Sequence, residues 1–347
     1  MQPTVASLQS ACFLWLPSPR KLFLNTIIPL SLIAAFVLFT ASLIARDVVY
    51  PETHRYKVAF LVESRPLPHL APLLLHFIYS LPHDWSIRFM GSEASIAAVK
   101  KSAAIREHIV AGKLDQVRIP STMTVNGQEA ISRFLTTLRL YDTILRPAEH
   151  LLVFQTDSMI CANSRHNVDE YLEYDWIGAP WNPEGAGGGN GGLSLRRVSS
   201  LIDVLRDEQR RDNSEPEDIW FSQRLQERPG SSLANGSISL MFSGEMHAGE
   251  PEHVFSAPLH YQSVSHKKDS ISKLIRAGNL VEGIDDWRDG HYEPMGYHIG
   301  IAKQMHPHVW GTLDQREHIW KYCPEVKMIL EMDMVDFVPG NCEETFS

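Results

Sequence analysis

The sequence predicts an α/β domain with a mostly parallel central sheet flanked by helices, preceded by one N-terminal transmembrane helix. Three observations carry this. Leu151 to Cys161 reads LLVFQTDSMIC, an apolar run entering polar Gln155, Thr156, Asp157 and Ser158. Such a run suits a strand buried on both faces, whose polar end reaches the carboxyl edge of the sheet, where ligands of open α/β sheets bind. From Lys57 onward, short apolar runs alternate with helix-length amphipathic segments, as parallel sheets covered on both faces require. Leu22 to Ala45 carries no charge and is about 24 residues long, enough to cross a hydrocarbon core of roughly 30 Å.

Arg20 and Lys21 precede that span, while Arg46 and Asp47 close it. The apolar region is longer, and further from the start, than that of a cleaved signal peptide. The expected organisation is a cytosolic tail (1–21), a signal anchor (22–45), a short stem (46–55) and a luminal domain (56–347). This is a type II, single-pass arrangement. Asn235-Gly236-Ser237 is an acceptor triplet for N-glycosylation and agrees with a luminal placement.

The chain has 347 residues and a net charge of −9. With no basic stripe interleaved with aromatics, nucleic acid is not an expected partner. Only Cys12, Cys161, Cys323 and Cys342 occur, too few for a disulfide scaffold and without a CxxC pair for zinc. Cys323 and Cys342 are either a disulfide or two free thiols.

Within the luminal part, Lys57 to Val62 is a first buried strand, ending in the loop Glu63-Ser64-Arg65-Pro66. Leu70 to Leu81 is a helix, with Pro72 tolerated in its first turn. Ile87 to Met90 is a strand, Ser95 to Leu114 a helix and Val117 to Ile119 a strand stopped by Pro120. Gln128 to Leu145 has the clearest helical periodicity, with Ile131, Phe134, Leu135, Leu138 and Tyr141 on one face. Val168 to Tyr174 is a short helix. Asp175 to Trp181 is a strand leaving into a loop. Leu193 to Arg197 returns to the sheet, Val198 to Arg206 is helical, and Glu215 to Phe221 opens another helix with acids in its first turn. Ser237 to Phe242 reads as strand, the chain from Ser243 as irregular, and Leu313 to Tyr322 as a last helix.

Four features carry chemistry: Asp157, the loop ending at Gly192, the pair Glu217/Asp218, and His298. Gly187, Gly189 and Gly192 match GxGxxG, but the loop leads into a strand rather than a helix, so a dinucleotide site is rejected. Such a loop lets backbone approach a sugar or phosphate closely. Glu217 and Asp218 stand where the macrodipole favours acids; one of them facing a cleft would be a general base for a hydroxyl proton. Asp157 and His298 together suit a hard divalent cation. No GxSxG, HExxH or P-loop points to a hydrolase or a nucleotide triphosphatase.

The order of these motifs resembles the GT-A glycosyltransferases. More closely, LVESRPLPH, FQTDSMICANS, YDWIGAPWNP, GGNGGLSLRR, SEPEDIWF, FSGEMHAGE and PMGYH resemble an uncharacterised fungal domain-of-unknown-function family with glycosyltransferase-like features. The resemblance implies a GT-A-like fold acting on a nucleotide-sugar donor and a glycan or glycoprotein acceptor in the Golgi or endoplasmic reticulum. It implies manganese or magnesium held by Asp157 and His298, and catalysis by Asp218, with Glu217 as the other acid. It places Gln155, Asp157, Ser158 and the run Gly189-Asn190-Gly191-Gly192 among the substrate contacts; position along the chain alone, on the exit loop of the first strand and in the loop after Pro180, adds Glu63 and Arg65 as contacts to the nucleotide and Trp181 as a stacking surface for a sugar. Ser158 departs from the acidic motif, where a second acid is common. That departure favours the rival expectation, a non-catalytic glycan-binding or assembly protein.

Overall fold

The computed structural model of the chain describes residues 56–185, 187–253, 279–300 and 305–330. The predicted tail, span and stem lie outside these. Among the described residues, no helix is long and apolar enough to cross a membrane.

Strand β1 (Lys57–Glu63) runs parallel to β2 (Ser86–Gly91) on one side and to β4 (His150–Phe154) on the other, and β3 (Leu114–Arg118) extends the sheet parallel to β2. Beyond β4 the direction changes. Strand β7 (Leu193–Arg197) is antiparallel to β4, and β6 (Trp176–Gly178) is antiparallel to β7. The six-stranded order β3-β2-β1-β4-β7-β6 is therefore mixed. The predicted parallel arrangement holds for β1 to β4 and fails at β7, because the glycine loop returns the chain directly instead of through a crossover helix.

Burial on both faces explains the continuous apolar strands. Ala59, Leu61, Leu152 and Phe154 pack under α1 (Leu70–Ser80), where Phe77 stacks on Phe154 with centroids 3.7 Å apart. Val58, Phe60, Leu151 and Val153 face the opposite layer, formed by α4 (Gln128–Leu135), α5 (Val198–Asp207) and α6 (Glu217–Glu227). Each large side chain so buried contributes about 1.5–3 kcal/mol.

Four predicted elements differ. The run Ser95–Leu114 forms two helices, α2 (Glu93–Val99) and α3 (Ala103–Val110), because the Ser102 hydroxyl caps the second by accepting from Ile105 N at 3.4 Å. Helix α4 stops at Leu135. The Thr136 and Thr137 hydroxyls donate back to the carbonyls of Ser132 (2.8 Å) and Arg133 (2.9 Å), and the chain resumes as a π-helical turn at Leu140–Ile144. The segment read as strand at Ser237–Phe242 is helix α7 (Gly236–Phe242), started by Asn235, whose Oδ1 accepts from Ile238 N at 3.0 Å.

The central run LLVFQTDSMIC is two strands. β4 ends at Phe154, and after the turn at Gln155–Asp157 the chain enters β5 (Ser158–Ile160) of a second sheet, β5-β9-β8. Its partners, β8 (Ser243–Gly244) and β9 (Gly296–His298), arise in the stretch expected to be irregular. Cys161, just past β5, is disulfide-bonded to Cys323 at the end of α8 (Leu313–Tyr322), with Cα atoms 4.7 Å apart. Cys323 is therefore neither paired with Cys342 nor a free thiol, the two alternatives the sequence left open.

Candidate functional site

The change of sheet after Phe154 puts Gln155, Thr156 and Asp157 at the carboxyl edge of β4. A cleft of about 710 Å³ opens there, bounded by the β1 exit loop, by Ile131 and Leu135 of α4, and by Phe154 to Asp157. Apolar Val62, Ile131 and Val153 line it together with polar Glu63, Gln155 and Asp157, the mixture usual in a small-molecule site. Glu63 does not face this space as a free acid. Its carboxylate accepts both nitrogens of the Arg65 fork, Nε at 3.0 Å and Nη2 at 2.6 Å, and the Arg65 backbone N–H at 2.7 Å. The hydrogen bond to Glu63 raises the Arg65 pKa against partial burial, and the charge of Asp157 adds to it. Arg65 is the group presented outward, with 62% of its side chain exposed.

Strand β9 pairs antiparallel with β5 so that His298 lies opposite Ser158, bringing the imidazole beside Asp157. His298 Nε2 is 3.5 Å from Asp157 Oδ1, and Nδ1 is 3.2 Å from Glu245 Oε1. Burial opposes the charged ring, but Asp157 and Glu245 together outweigh it and raise its pKa to about 10. Neither approach has hydrogen-bond geometry, so both ring nitrogens are buried without a hydrogen-bond partner.

That observation bears on a metal. Nε2 and Oδ1, 3.5 Å apart, suit neighbouring ligands of one divalent ion at bond lengths of about 2.0–2.2 Å. Glu245 lies on the other side of the ring, its Oε1 3.2 Å from Nδ1. Ser158 offers no ligand. It is fully buried, its Oγ donating to the Gly192 carbonyl at 2.8 Å and accepting from Gln155 N at 3.2 Å. The predicted substrate contact by Ser158 is thus corrected to a brace within the fold. Among the described residues, no group of three or more His, Cys, Asp or Glu converges as a metal cluster. These side chains supply at most two positions of an ion, Asp157 Oδ1 and His298 Nε2.

The glycine loop joins this half of the site to the other. Gly187, Gly188 and Gly189 have φ of 140°, 96° and 151°, where a side chain is strained. Gly189 accepts from Trp176 Nε1 at 3.1 Å, and the Asn190 side chain accepts from Gly192 N at 2.7 Å. These two predicted contacts hold the loop itself. A Cβ on Gly192 would lie 2.2 Å from His298 Nε2. A Cβ on Gly191 would lie 2.7 Å from Glu217 Oε1 and 3.2 Å from Asp218 Cβ. Two adjacent glycines therefore touch the imidazole on one side and the acidic pair on the other.

The acids of that pair differ. Asp218 accepts Gly191 N at 3.0 Å through Oδ2 and Ile219 N at 2.9 Å through Oδ1, leaving each oxygen a second lone pair. Glu217 is buried and gripped by Arg196, with Nη1 to Oε2 at 3.2 Å and Nη2 to Oε1 at 2.9 Å. Burial raises the Glu217 pKa while Arg196 pulls it down, the former prevailing. The expected role of Glu217 as a reacting acid is corrected to an ion pair.

Asp157, His298, Gly191, Gly192, Glu217 and Asp218 are thus brought together, and Glu63, Arg65 and Gln155 share the adjoining cleft with Asp157. Trp181 does not line that cleft. It is 37% exposed and leans on Gly188 from outside. Asn235 is exposed and serves as the cap of α7. Sequence reasoning missed Arg196 and Glu245. In LSLRR, the two-residue period sets Ser194 and Arg196 on one face of a strand, so a charge there announces a buried partner. Glu245 had no comparable signal.

The described domain is thus a mixed-sheet α/β fold with an acid–imidazole–glycine–acid constellation beside an open cleft. Residues 113–257 match the family model described as "Protein of unknown function (DUF5672)". No curated protein matches the chain. Among solved structures, mannosyltransferase PcManGT from Pyrobaculum calidifontis, in complex with GDP-Man and Mn2+, is similar at 16% identity and TM-score 0.36, over 59% of this chain and 64% of that one. The glycosyltransferase GlyE in Streptococcus pneumoniae is similar at 14% identity and TM-score 0.35, over 52% and 46%. Galactosyltransferase LgtC, in complex with donor and acceptor sugar analogs, is similar at 11% identity and TM-score 0.33, over 72% and 88%. The chain spans less than two thirds of the first two.

Proposed function

We propose that this chain is a membrane-anchored, type II glycosyltransferase that moves a sugar from a nucleotide-sugar donor to a hydroxyl of a glycan or glycoprotein. One observation supports this most: Gly191 and Gly192 contact Asp218, Glu217 and His298 at once, beside a cleft edged by Asp157 and Arg65. The cleft takes the nucleotide against its apolar lining residues, and the Arg65 guanidinium, pre-oriented by Glu63, pairs with a diphosphate oxygen. A manganese or magnesium ion on Asp157 and His298, when bound, offsets charge on the leaving diphosphate. Asp218 receives the acceptor proton on an oxygen held by backbone N–H groups. Gly191 and Gly192, lacking side chains, let the His298 ring and the Arg196–Glu217 pair pack directly against the backbone between the two halves of the site.

The uncharged run 22–45 supports an anchor, the Cys161–Cys323 bond supports an oxidising compartment such as the Golgi or endoplasmic reticulum, and the Asn235 triplet agrees with a luminal face. A second reading, a non-catalytic glycan-binding relative, draws on the inward-turned Ser158. The deciding assay offers a panel of nucleotide sugars to the purified protein, with and without manganese, and follows release of nucleoside diphosphate. The transferase reading requires turnover that Asp157→Ala and Asp218→Asn each reduce. Binding without turnover selects the second reading, and neither binding nor turnover rejects both.

A further inference from the structure

Arg196 stands on β7 with no exposure, and its guanidinium is almost fully used. Nε donates to Ser194 Oγ at 2.9 Å, Nη1 to Glu217 at 3.2 Å, and Nη2 to Glu217 at 2.9 Å and to the Gly191 carbonyl at 3.1 Å. Its flat face lies 4.3 Å over the Trp176 ring. The Gly191 carbonyl also accepts from Ser194 Oγ at 3.0 Å, while Gly191 N donates to Asp218. Gly192 N donates to Asn190, and the Gly192 carbonyl accepts from Gln155 N and Ser158 Oγ, the residues flanking Asp157. Every backbone polar group of the dipeptide is engaged, and its two ends are held by different halves of the site.

We propose that Arg196 and Glu217 are a positioning unit that sets the Gly191–Gly192 strap, and through it the placement of Asp218 relative to Asp157 and His298. A buried ion pair is a weak source of stability compared with apolar residues of similar volume. What it supplies here is geometry: a planar fork reaching Glu217 and a backbone carbonyl together, which an ammonium does not reproduce. The strap is a pair of adjacent residues that touches both Asp218 and His298. A shift there separates the acid from the Asp157 edge. This rests on the transferase reading for its kinetic consequence and on the geometry alone for its structural one.

The test uses Arg196→Lys and the double variant Arg196→Met with Glu217→Leu, which replaces the pair without leaving one charge unpaired. Hydrogen exchange of the Gly191 and Gly192 amides is followed with thermal melting, kcat and donor KM. In both variants the strap amides exchange faster and kcat falls at least about tenfold, as small misplacements of reacting groups do, while donor KM changes little and the double variant melts near the wild type. Where the double variant does not fold, Arg196→Lys carries the same expectation. Native exchange at the strap in a folded variant overturns the proposal. So does Glu217→Gln abolishing turnover with the strap unchanged, because Glu217 is then a reacting group. If the wild type transfers no sugar, the transferase reading fails and the exchange measurement still decides the structural claim.

Discussion

Gly192 lies flat against His298: a side-chain carbon added there would sit 2.2 Å from Nε2 and 2.5 Å from Cε1 of the ring. Contacts that short do not occur, so the ring or the strap must move. Gly192→Ala is expected to cost about two orders of magnitude in turnover, as for a 1 Å misplacement at a reacting centre. The backbone of Gly192 is not in the left-handed region, so the cost is steric. Comparing kcat of Gly192→Ala with that of Gly112→Ala, whose cost is the backbone strain of a φ of +72° and not a contact, since nothing lies within 4 Å of the added carbon, checks this. Equal activity in the two would refute it.

The Cys161–Cys323 bond closes 162 residues of chain. Loop-closure entropy for such a length is worth about 5 kcal/mol, and measured losses on removing native disulfides run about 2–5 kcal/mol. Cys161→Ser, or reduction of the wild type, should lower the denaturant midpoint accordingly. An unchanged midpoint after reduction would show that the bond does not constrain the unfolded chain.

Glu129, at the start of α4, accepts Arg210 Nη1 at 3.1 Å and Nη2 at 2.7 Å, tying the cleft wall to the segment before α6. This hydrogen bonding lowers the carboxyl pKa from 4.5 to about 2. Because the folded pKa is depressed, the stabilisation is present above pH 4.5 and is lost as pH falls towards about 2. Glu129→Gln should flatten the fall in melting temperature over that window. A slope identical to the wild type would deny the pair its role.

Asn235 both starts helix α7 and carries the glycosylation triplet, and its Oδ1, not its nitrogen, accepts from Ile238 N. Asn235→Asp keeps an oxygen at the cap and removes the acceptor nitrogen, whereas Asn235→Ala also loses the cap, worth about 1 kcal/mol. In a secretory host both variants should lose a glycosidase-sensitive mobility shift, and only Asn235→Ala should melt earlier. Absence of the shift in the wild type would withdraw the luminal argument from this residue.

Much of this arrangement is legible in the residues. β1, α1 and β4 follow from apolar runs and a first-turn proline, and the Asp157, Asp218 and His298 motifs do meet at one place. The break after Phe154 was hidden because both β4 and β5 are apolar, and only long-range pairing with β7 and β9 separates them. GSISLMF has the composition of a strand, and the cap at Asn235 with packing of Gly236 against Pro183 makes it a helix. Glu217 and Asp218 look equivalent in sequence. Their difference arises from Arg196, on a strand about twenty residues earlier whose burial depends on the whole sheet. The disulfide joins segments whose proximity is a product of the second sheet.

The central claim is that Asp157 and Arg65 form the diphosphate end of a nucleotide site. Titration calorimetry of a nucleoside diphosphate into the purified protein, with manganese present, tests it most directly. Saturable binding is expected in the wild type, weakened about tenfold or more by Asp157→Ala and by Arg65→Ala, in keeping with charge-assisted contacts worth about 1.5–3 kcal/mol. Undiminished binding in both variants, or no binding in the wild type, would contradict the account.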